Sequence, residues 1–256
     1  MRRLLLPLLA ALALITPASA EGRPLPQAHA HNDYEHERPL YDALDHGFTS
    51  VEADIYLKDG ELLVGHDPED LKPGRTLRAL YLDPLSKRRP GYPLQLLIDI
   101  KNSGADTYRV LDAELRRYPR LFTAYINGRV HPGPVTAVVS GDRPREVMAA
   151  QVDRRAFFDG RLPDLGVDAR FAPLVSDNWA NAFTWVGVGS MPAEQRQKLR
   201  AIVHTAHANG QRVRFWATPD RVGAARSAVW RELRDAGVDH INTDDLAGLA
   251  AFLQRR

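Results

Sequence analysis

The chain has 256 residues, and 34 lysines and arginines against 32 acids leave a formal charge of +2 with no cysteine. Disulfides and lipid attachment through cysteine are excluded, so stability must come from a sizeable buried core. Basic residues such as Arg116-Arg117 are scattered and do not form the stripe that nucleic acid requires, so no nucleic-acid partner is expected.

Residues 1–20 open with Arg2-Arg3, run apolar over 4–15 and end in Ala18-Ser19-Ala20, a small-x-small pattern before Glu21. This predicts a secretory signal peptide cleaved near Ala20. Pro7 interrupts the apolar run, which is shorter than the roughly 20 residues a membrane span needs. A periplasmic or secreted mature chain is therefore expected. No Ser/Gly-rich linker divides 21–256, which favours one domain and a monomer.

Along that domain, strand-like apolar runs cover 27–31, 49–57, 95–101, 135–140, 156–159, 172–176, 212–218 and 239–243. Helix-period patterns fall between them at 38–46, 106–118, 144–154, 193–209 and 224–236, with Gly47, Gly210 and Gly237 where left-handed caps belong. Such alternation predicts a parallel sheet, and eight units predict an α/β fold of the (β/α)8 TIM-barrel type with its chemistry at the strands' carboxyl ends. An open doubly wound sheet is the alternative, but no Gly-rich phosphate loop follows the first strand.

In the second strand, period-two alternation puts Val51, Ala53, Ile55 and Leu57 on one face and Glu52 and Asp54 on the other. Asp99 and Lys101 likewise lie opposite Leu96, Ile98 and Ile100. In a barrel these polar faces meet in the lumen. Three carboxylates crowded in low dielectric raise one another's pKa unless a positive centre holds them ionised. All-oxygen ligands suit Mg²⁺ or Ca²⁺ better than zinc, so one divalent cation is expected. The alternative is a structural ion pair in which Lys101 or an arginine neutralises the acids.

Lys58-Asp59-Gly60-Glu61 predicts a hairpin whose return strand, 62–64, delivers His66 beside these acids. A two-residue loop would put His66 opposite Ala53, and one more loop residue would put it opposite Glu52. His29, His31 and Asp33 share a face at the end of the first strand, which also invites a zinc-amidohydrolase reading. That reading lacks further histidines at the ends of middle strands, since His204 and His207 fall in a helical pattern and His131 in a loop. His36, His46, His204, His207 and His240 read as surface or packing residues.

The runs His29-Ala30-His31-Asn32-Asp33-Tyr34, Val51-Glu52-Ala53-Asp54, Val64-Gly65-His66-Asp67, Leu97-Ile98-Asp99-Ile100-Lys101 and Ile241-Asn242-Thr243-Asp244 resemble the phospholipase-C-like phosphodiesterase superfamily. Within it the chain is similar to glycerophosphodiester phosphodiesterases and to the branch named for altered inheritance of mitochondria. The resemblance implies His31 and His66 as the acid–base pair and Glu52, Asp54 and Asp99 as metal ligands. It further implies Asn32 as an amide ligand, a phosphate contact from Lys101, and Trp216 bordering the pocket. Two features depart from the glycerophosphodiester pattern: Asn32-Asp33 replaces the Arg-Gly after the first histidine, and Glu37-Arg38-Pro39-Leu40 replaces a Pro-Glu-Asn-Thr run.

The expected function is metal-dependent hydrolysis of a glycerophosphodiester or phospholipid headgroup. A phosphate- or headgroup-binding barrel without turnover is the second class, because fold does not guarantee activity. In the loop over 176–190, Trp179, Phe183 and Trp185 have three readings: weak contact with a membrane surface, roofing of the pocket, or packing on the barrel.

Overall fold

The computed structural model describes residues 22–255, so the expected signal peptide over 1–20 lies outside the described residues. In chain order the strands are β1 (Leu25–Ala30), β2 (Phe48–Lys58), β3 (Glu61–Val64), β4 (Leu94–Ile100), β5 (Ala124–Ile126), β6 (Arg129–His131), β7 (Val135–Gly141), β8 (Asp153–Arg154), β9 (Ala156–Gly160), β10 (Leu174–Asn178), β11 (Arg212–Trp216) and β12 (His240–Thr243). β1, β2, β4, β7, β9, β10, β11 and β12 pair in parallel in that order, and β12 pairs back onto β1. The sheet is a closed eight-stranded barrel, as the alternation predicts.

The helices are α1 (Tyr41–Asp45), α2 (Asp83–Lys87), α3 (Gly104–Arg116), α4 (Arg145–Ala149), α5 (Trp179–Ala182), α6 (Ala193–Ala208), α7 (Ala224–Ala236) and α8 (Leu246–Gln254). Two expected helices are shorter than their patterns. At 38–46 the chain enters late because Pro39 is followed by Leu40 at φ 67, outside helical backbone. At 144–154 the helix stops at Ala149 because β8 pairs with β5. β5 and β6 form a hairpin on the left-handed pair Asn127 and Gly128, and with β8 they make a three-stranded sheet outside the barrel. Only a 3₁₀ turn, Leu162–Asp164, follows β9. The composition of α8 is almost entirely apolar, which erases the polar contrast that marks an amphipathic helix.

Register decides what meets in the lumen. Asp54 of β2 is the direct Cα partner of Asp99 of β4, which in turn is the partner of Ser140 of β7. Val51, Ala53, Ile55, Leu96, Ile98 and Ile100 face outward into the main core with Tyr108, Leu111 and Leu115 of α3. Inside, Leu97, Val138, Phe157 and Leu174 form a separate apolar plug on which Tyr125 packs. The opposite side of the lumen is polar: His29 Nδ1 pairs with Ser50 Oγ at 2.7 Å, and Gln95 Nε2 donates to the same hydroxyl at 2.9 Å.

The aromatic residues of the 176–190 loop pack on the barrel. Trp179 is 1% exposed, Phe183 3% and Trp185 7%; Trp179 and Phe183 both contact Phe215, and the Trp179 indole donates to the Trp185 carbonyl. Of the three readings of these rings, the structure shows packing on the barrel. The exposed apolar residues of that loop are Val186 and Val188.

Candidate active site at the carboxyl ends of the strands

A cavity of about 400 Å³ opens where the strands end, lined by His31, Glu52, His66, Asp99, Lys101, Ser140, Gly141, Arg161, Arg214 and Trp216. Each carboxylate of Glu52, Asp54 and Asp99 offers one oxygen within 4.8 Å of the others. Asp54 and Asp99 come together by their register, and Gly141 makes room for them: a Cβ there, at φ +69, would run into the Ile100 carbonyl and the Asp99 carboxylate.

Cationic side chains sit among these acids. Lys101 Nζ lies 2.8 Å from Asp54 Oδ2 and 3.2 Å from Asp99 Oδ1, and Arg214 Nη2 lies 2.6 Å from Glu52 Oε2. His29 Nε2 bonds the same Glu52 oxygen at 2.9 Å. Lys101 and Arg214 thus make ion pairs of the kind expected from the sequence as the alternative to a bound cation. Three acids against two fixed cations leave one negative charge in excess. Burial and the neighbouring Glu52 push the Asp54 carboxyl up to about 6 against the pull of Lys101, and burial raises Asp99 as well. Burial also opposes ionisation of Glu52, but Arg214 and His29 outweigh it and hold this carboxyl low.

Asp54 Oδ1 is buried with no hydrogen-bond partner among the described residues. An orphaned oxygen in a cluster of hard oxygen donors with surplus negative charge fits a divalent cation. Glu52, Asp54 and Asp99 would hold it. Asn32 stands at the edge of this cluster, where the Tyr34 hydroxyl donates to Asp54 Oδ2 (2.8 Å) and lies 3.0 Å from Asn32 Oδ1. Asn32 adopts the left-handed conformation, φ 47, which asparagine tolerates better than most residues.

The two histidines reach the cavity by different routes. His31 follows β1, and its Nδ1 bonds Asp244 Oδ1 at 2.7 Å. Burial pulls the His31 pKa down, but Asp244 and Glu52 overcome it and raise it. His66 follows the hairpin, whose loop is the two-residue Asp59-Gly60 turn, both residues left-handed, with Lys58 opposite Glu61 and Ile55 opposite Val64. Pairing ends at Val64, and the Tyr56 hydroxyl then holds the His66 carbonyl at 3.0 Å. The imidazole is half-exposed, 3.1 Å from Asp67.

Asp33, expected on the face of His29 and His31, is turned away. It is fully buried, and its Oδ2 accepts from the Leu40 amide and the Tyr81 hydroxyl. His29 lies below the cavity in the lumen, and His240, which reads as a surface or packing residue, is a buried lumen residue. Sequence reasoning missed Tyr34, Arg161, Arg214 and Asp244. The alternation Arg212, Arg214, Trp216 on one strand face was the available signal for Arg214. Trp216 borders the cavity as expected. Just beyond it Ala217 sits at φ 56, a strained backbone position for a residue with a Cβ.

Comparison with known proteins agrees with this geometry. A family model described as the AIM6-like phosphodiesterase domain matches residues 19–88 and 87–159, and one for the glycerophosphoryl diester phosphodiesterase family matches 212–247. The altered inheritance of mitochondria protein 6 homolog of Arthroderma benhamiae is 31% identical over 87% of this chain and 82% of its own. The Eremothecium gossypii protein of that name is 30% identical over 89% and 69%. A glycerophosphoryl diester phosphodiesterase structure from Parabacteroides distasonis superposes with a TM-score of 0.57 at 14% identity, over 92% of this chain and 88% of that one, which speaks for the fold. On the strength of the family match and these relatives, the chain belongs to the AIM6-like phosphodiesterase family.

Proposed function

We propose that this protein is a metal-dependent phosphodiester hydrolase acting on a glycerophosphodiester or phospholipid headgroup. The observation that carries the reading is the orphaned Asp54 Oδ1 inside an acid cluster that Lys101 and Arg214 leave one charge short of neutral. One divalent cation, Mg²⁺ or Ca²⁺, would bring the site to a single positive charge, which suits a phosphodiester monoanion. When bound it would supply charge stabilisation of the pentacovalent transition state.

The chain's own residues do the rest. His31, oriented by Asp244 at Nδ1, is placed to exchange a proton through Nε2 with the attacking hydroxyl or water. His66, which also lines the cavity, serves the leaving alkoxide, or the two roles are exchanged. Lys101 and Arg161 offer cationic contacts to phosphate oxygens, and Trp216 offers an apolar wall. A periplasmic or secreted location and action as a monomer complete the proposal.

Hydrolysis of bis(p-nitrophenyl) phosphate with and without a chelator tests it. Turnover should vanish with chelator and return with Mg²⁺ or Ca²⁺, and His31→Ala or His66→Ala should lower kcat by at least about 10²-fold. Chelator-resistant turnover, or near wild-type kcat in either variant, would overturn it. Phosphate binding without turnover of any phosphodiester would leave a binding barrel.

A further inference from the structure

At the amino-terminal mouth of the barrel, on the side away from the acid cluster, a second cavity of about 390 Å³ is lined by Pro24, Pro26, Tyr92, Pro93, Val238 and Arg212 among others. Arg212 begins β11, the strand that carries Arg214 and Trp216 toward the opposite mouth. Arg214 is bonded to Glu52 and Asn242, whereas Arg212 has no such partners. Among the described residues, no carboxylate oxygen lies within 4.0 Å of the Arg212 guanidinium, and it donates no hydrogen bond to the protein.

The acid that lines the same cavity is engaged elsewhere. Asp239 Oδ2 accepts from the Val213 amide and pairs with His207 Nε2, both at 2.8 Å. His240, which also lines the cavity, is 2% exposed, and neither ring nitrogen has a partner among the described residues. Burial lowers the Arg212 pKa, with Asp239 opposing, so the guanidinium has lost part of its hydration without gaining a counter-ion. A partly desolvated guanidinium that costs free energy in isolation is stabilised by any anion that reaches it. Beside it Pro24, Pro26, Tyr92, Pro93 and Val238 give the cavity an apolar wall, which an inorganic ion would leave unused. The volume lies at the lower end of the roughly 300–1,000 Å³ range of small-molecule sites.

We propose that the amino-terminal mouth of the barrel binds a small organic anion, its charged head received by Arg212 and its apolar body held among Pro24, Pro26, Tyr92, Pro93 and Val238. This site is separate from the catalytic cavity and does not depend on the reading of that cavity as a phosphodiesterase centre.

Saturation-transfer NMR with benzoate, on the full mature chain, tests the proposal, with benzamide and inorganic phosphate as controls. Benzoate should bind saturably, Arg212→Gln should weaken it by about tenfold or more, and the uncharged benzamide should bind as weakly as benzoate does to that variant. His66→Ala, which alters the other mouth without stripping a buried acid of its partner, should leave benzoate affinity unchanged. Arg212→Lys keeps the charge and should retain part of the affinity, which covers the case in which Arg212→Gln does not fold. Equal binding of benzoate and benzamide, loss of binding in His66→Ala, phosphate binding as tight as benzoate, or no saturable benzoate binding would each overturn it.

Discussion

Asp244 Oδ1 lies 2.7 Å from His31 Nδ1 across 213 residues of chain, so the last barrel strand orients a histidine that follows the first. Asp244 is itself held: its amide donates to Asp220 Oδ2, and Thr243 Oγ1 donates to Asp220 Oδ1, each at 2.8 Å. The bond fixes which ring nitrogen of His31 faces the cavity, as partners of functional histidines commonly do. Asp244→Asn should lower kcat by about 10- to 100-fold with little change in KM, since the substrate's contacts remain. Steady-state kinetics on an aryl phosphodiester reads both; a raised KM at unchanged kcat would show that Asp244 binds substrate instead.

The charge excess in the acid cluster gives an expectation independent of turnover. Saturating Mg²⁺ or Ca²⁺ should raise the thermal midpoint, with stabilisation of about 2.7 kcal/mol at a hundredfold excess over Kd. Asp54→Asn removes a buried acid that carries the orphaned oxygen, and it should abolish the cation-induced rise. Differential scanning fluorimetry decides. An equal rise in both proteins would place the ion elsewhere.

The barrel was legible in the sequence because alternation on β2 and β4 is clean: Val51, Ala53 and Ile55 against Glu52 and Asp54, and Ile98 and Ile100 against Asp99. That same alternation puts the acids in the lumen, and parallel register brings Asp54 beside Asp99. Two kinds of residue stayed hidden. Asp244 and Tyr34 act from loop positions, whose direction depends on backbone turns that periodicity does not encode. Arg214 shares a regular strand face with Arg212 and Trp216, but that alternation does not reveal that Glu52 stands across the lumen. The β5–β6 hairpin was signalled by Asn127-Gly128, yet its three-residue strands are too short for alternation to register.

His29 and His240 are buried in the lumen with their rings 6.1 Å apart, and both are held neutral. Burial, aided by Arg214, lowers the His29 pKa to about 4, and burial with Arg212 lowers His240 well below its usual value. The unfolded chain, with histidines near 6.5, binds these protons first. Stability is therefore full above that value and falls as pH drops below it, by about 2 kcal/mol at pH 5 for His29. Urea midpoints at neutral pH and at pH 5 should differ less for His240→Leu than for wild type. An unchanged difference would mean that His240 is already protonated in the fold.

Trp179 is packed against Phe183 and Phe215 with its indole bonded, so it is a core residue of the carboxyl-end rim. Trp179→Ala should cost about 3–5 kcal/mol of stability, the range for a buried aromatic truncated to a methyl. Val188, 75% exposed in the same loop, should tolerate Val188→Glu with no change in the urea midpoint. Comparable losses in the two variants would contradict the packing described.

Glu52 has two candidate duties, cation ligand and counter-ion of Arg214, and a pair of substitutions separates them. Arg214→Met alone leaves a buried carboxylate short of its main partner, since His29 is neutral, and should cost about 3–5 kcal/mol. Adding Glu52→Gln removes the uncompensated charge, so most of that stability should return in the double variant. If Glu52 served only to neutralise Arg214, the double variant would regain activity along with stability. If Glu52 holds the cation, the double variant should fold and remain inactive, with a weakened thermal response to Mg²⁺ or Ca²⁺. Urea titration and turnover of the aryl phosphodiester, measured on the same preparations, distinguish the two outcomes.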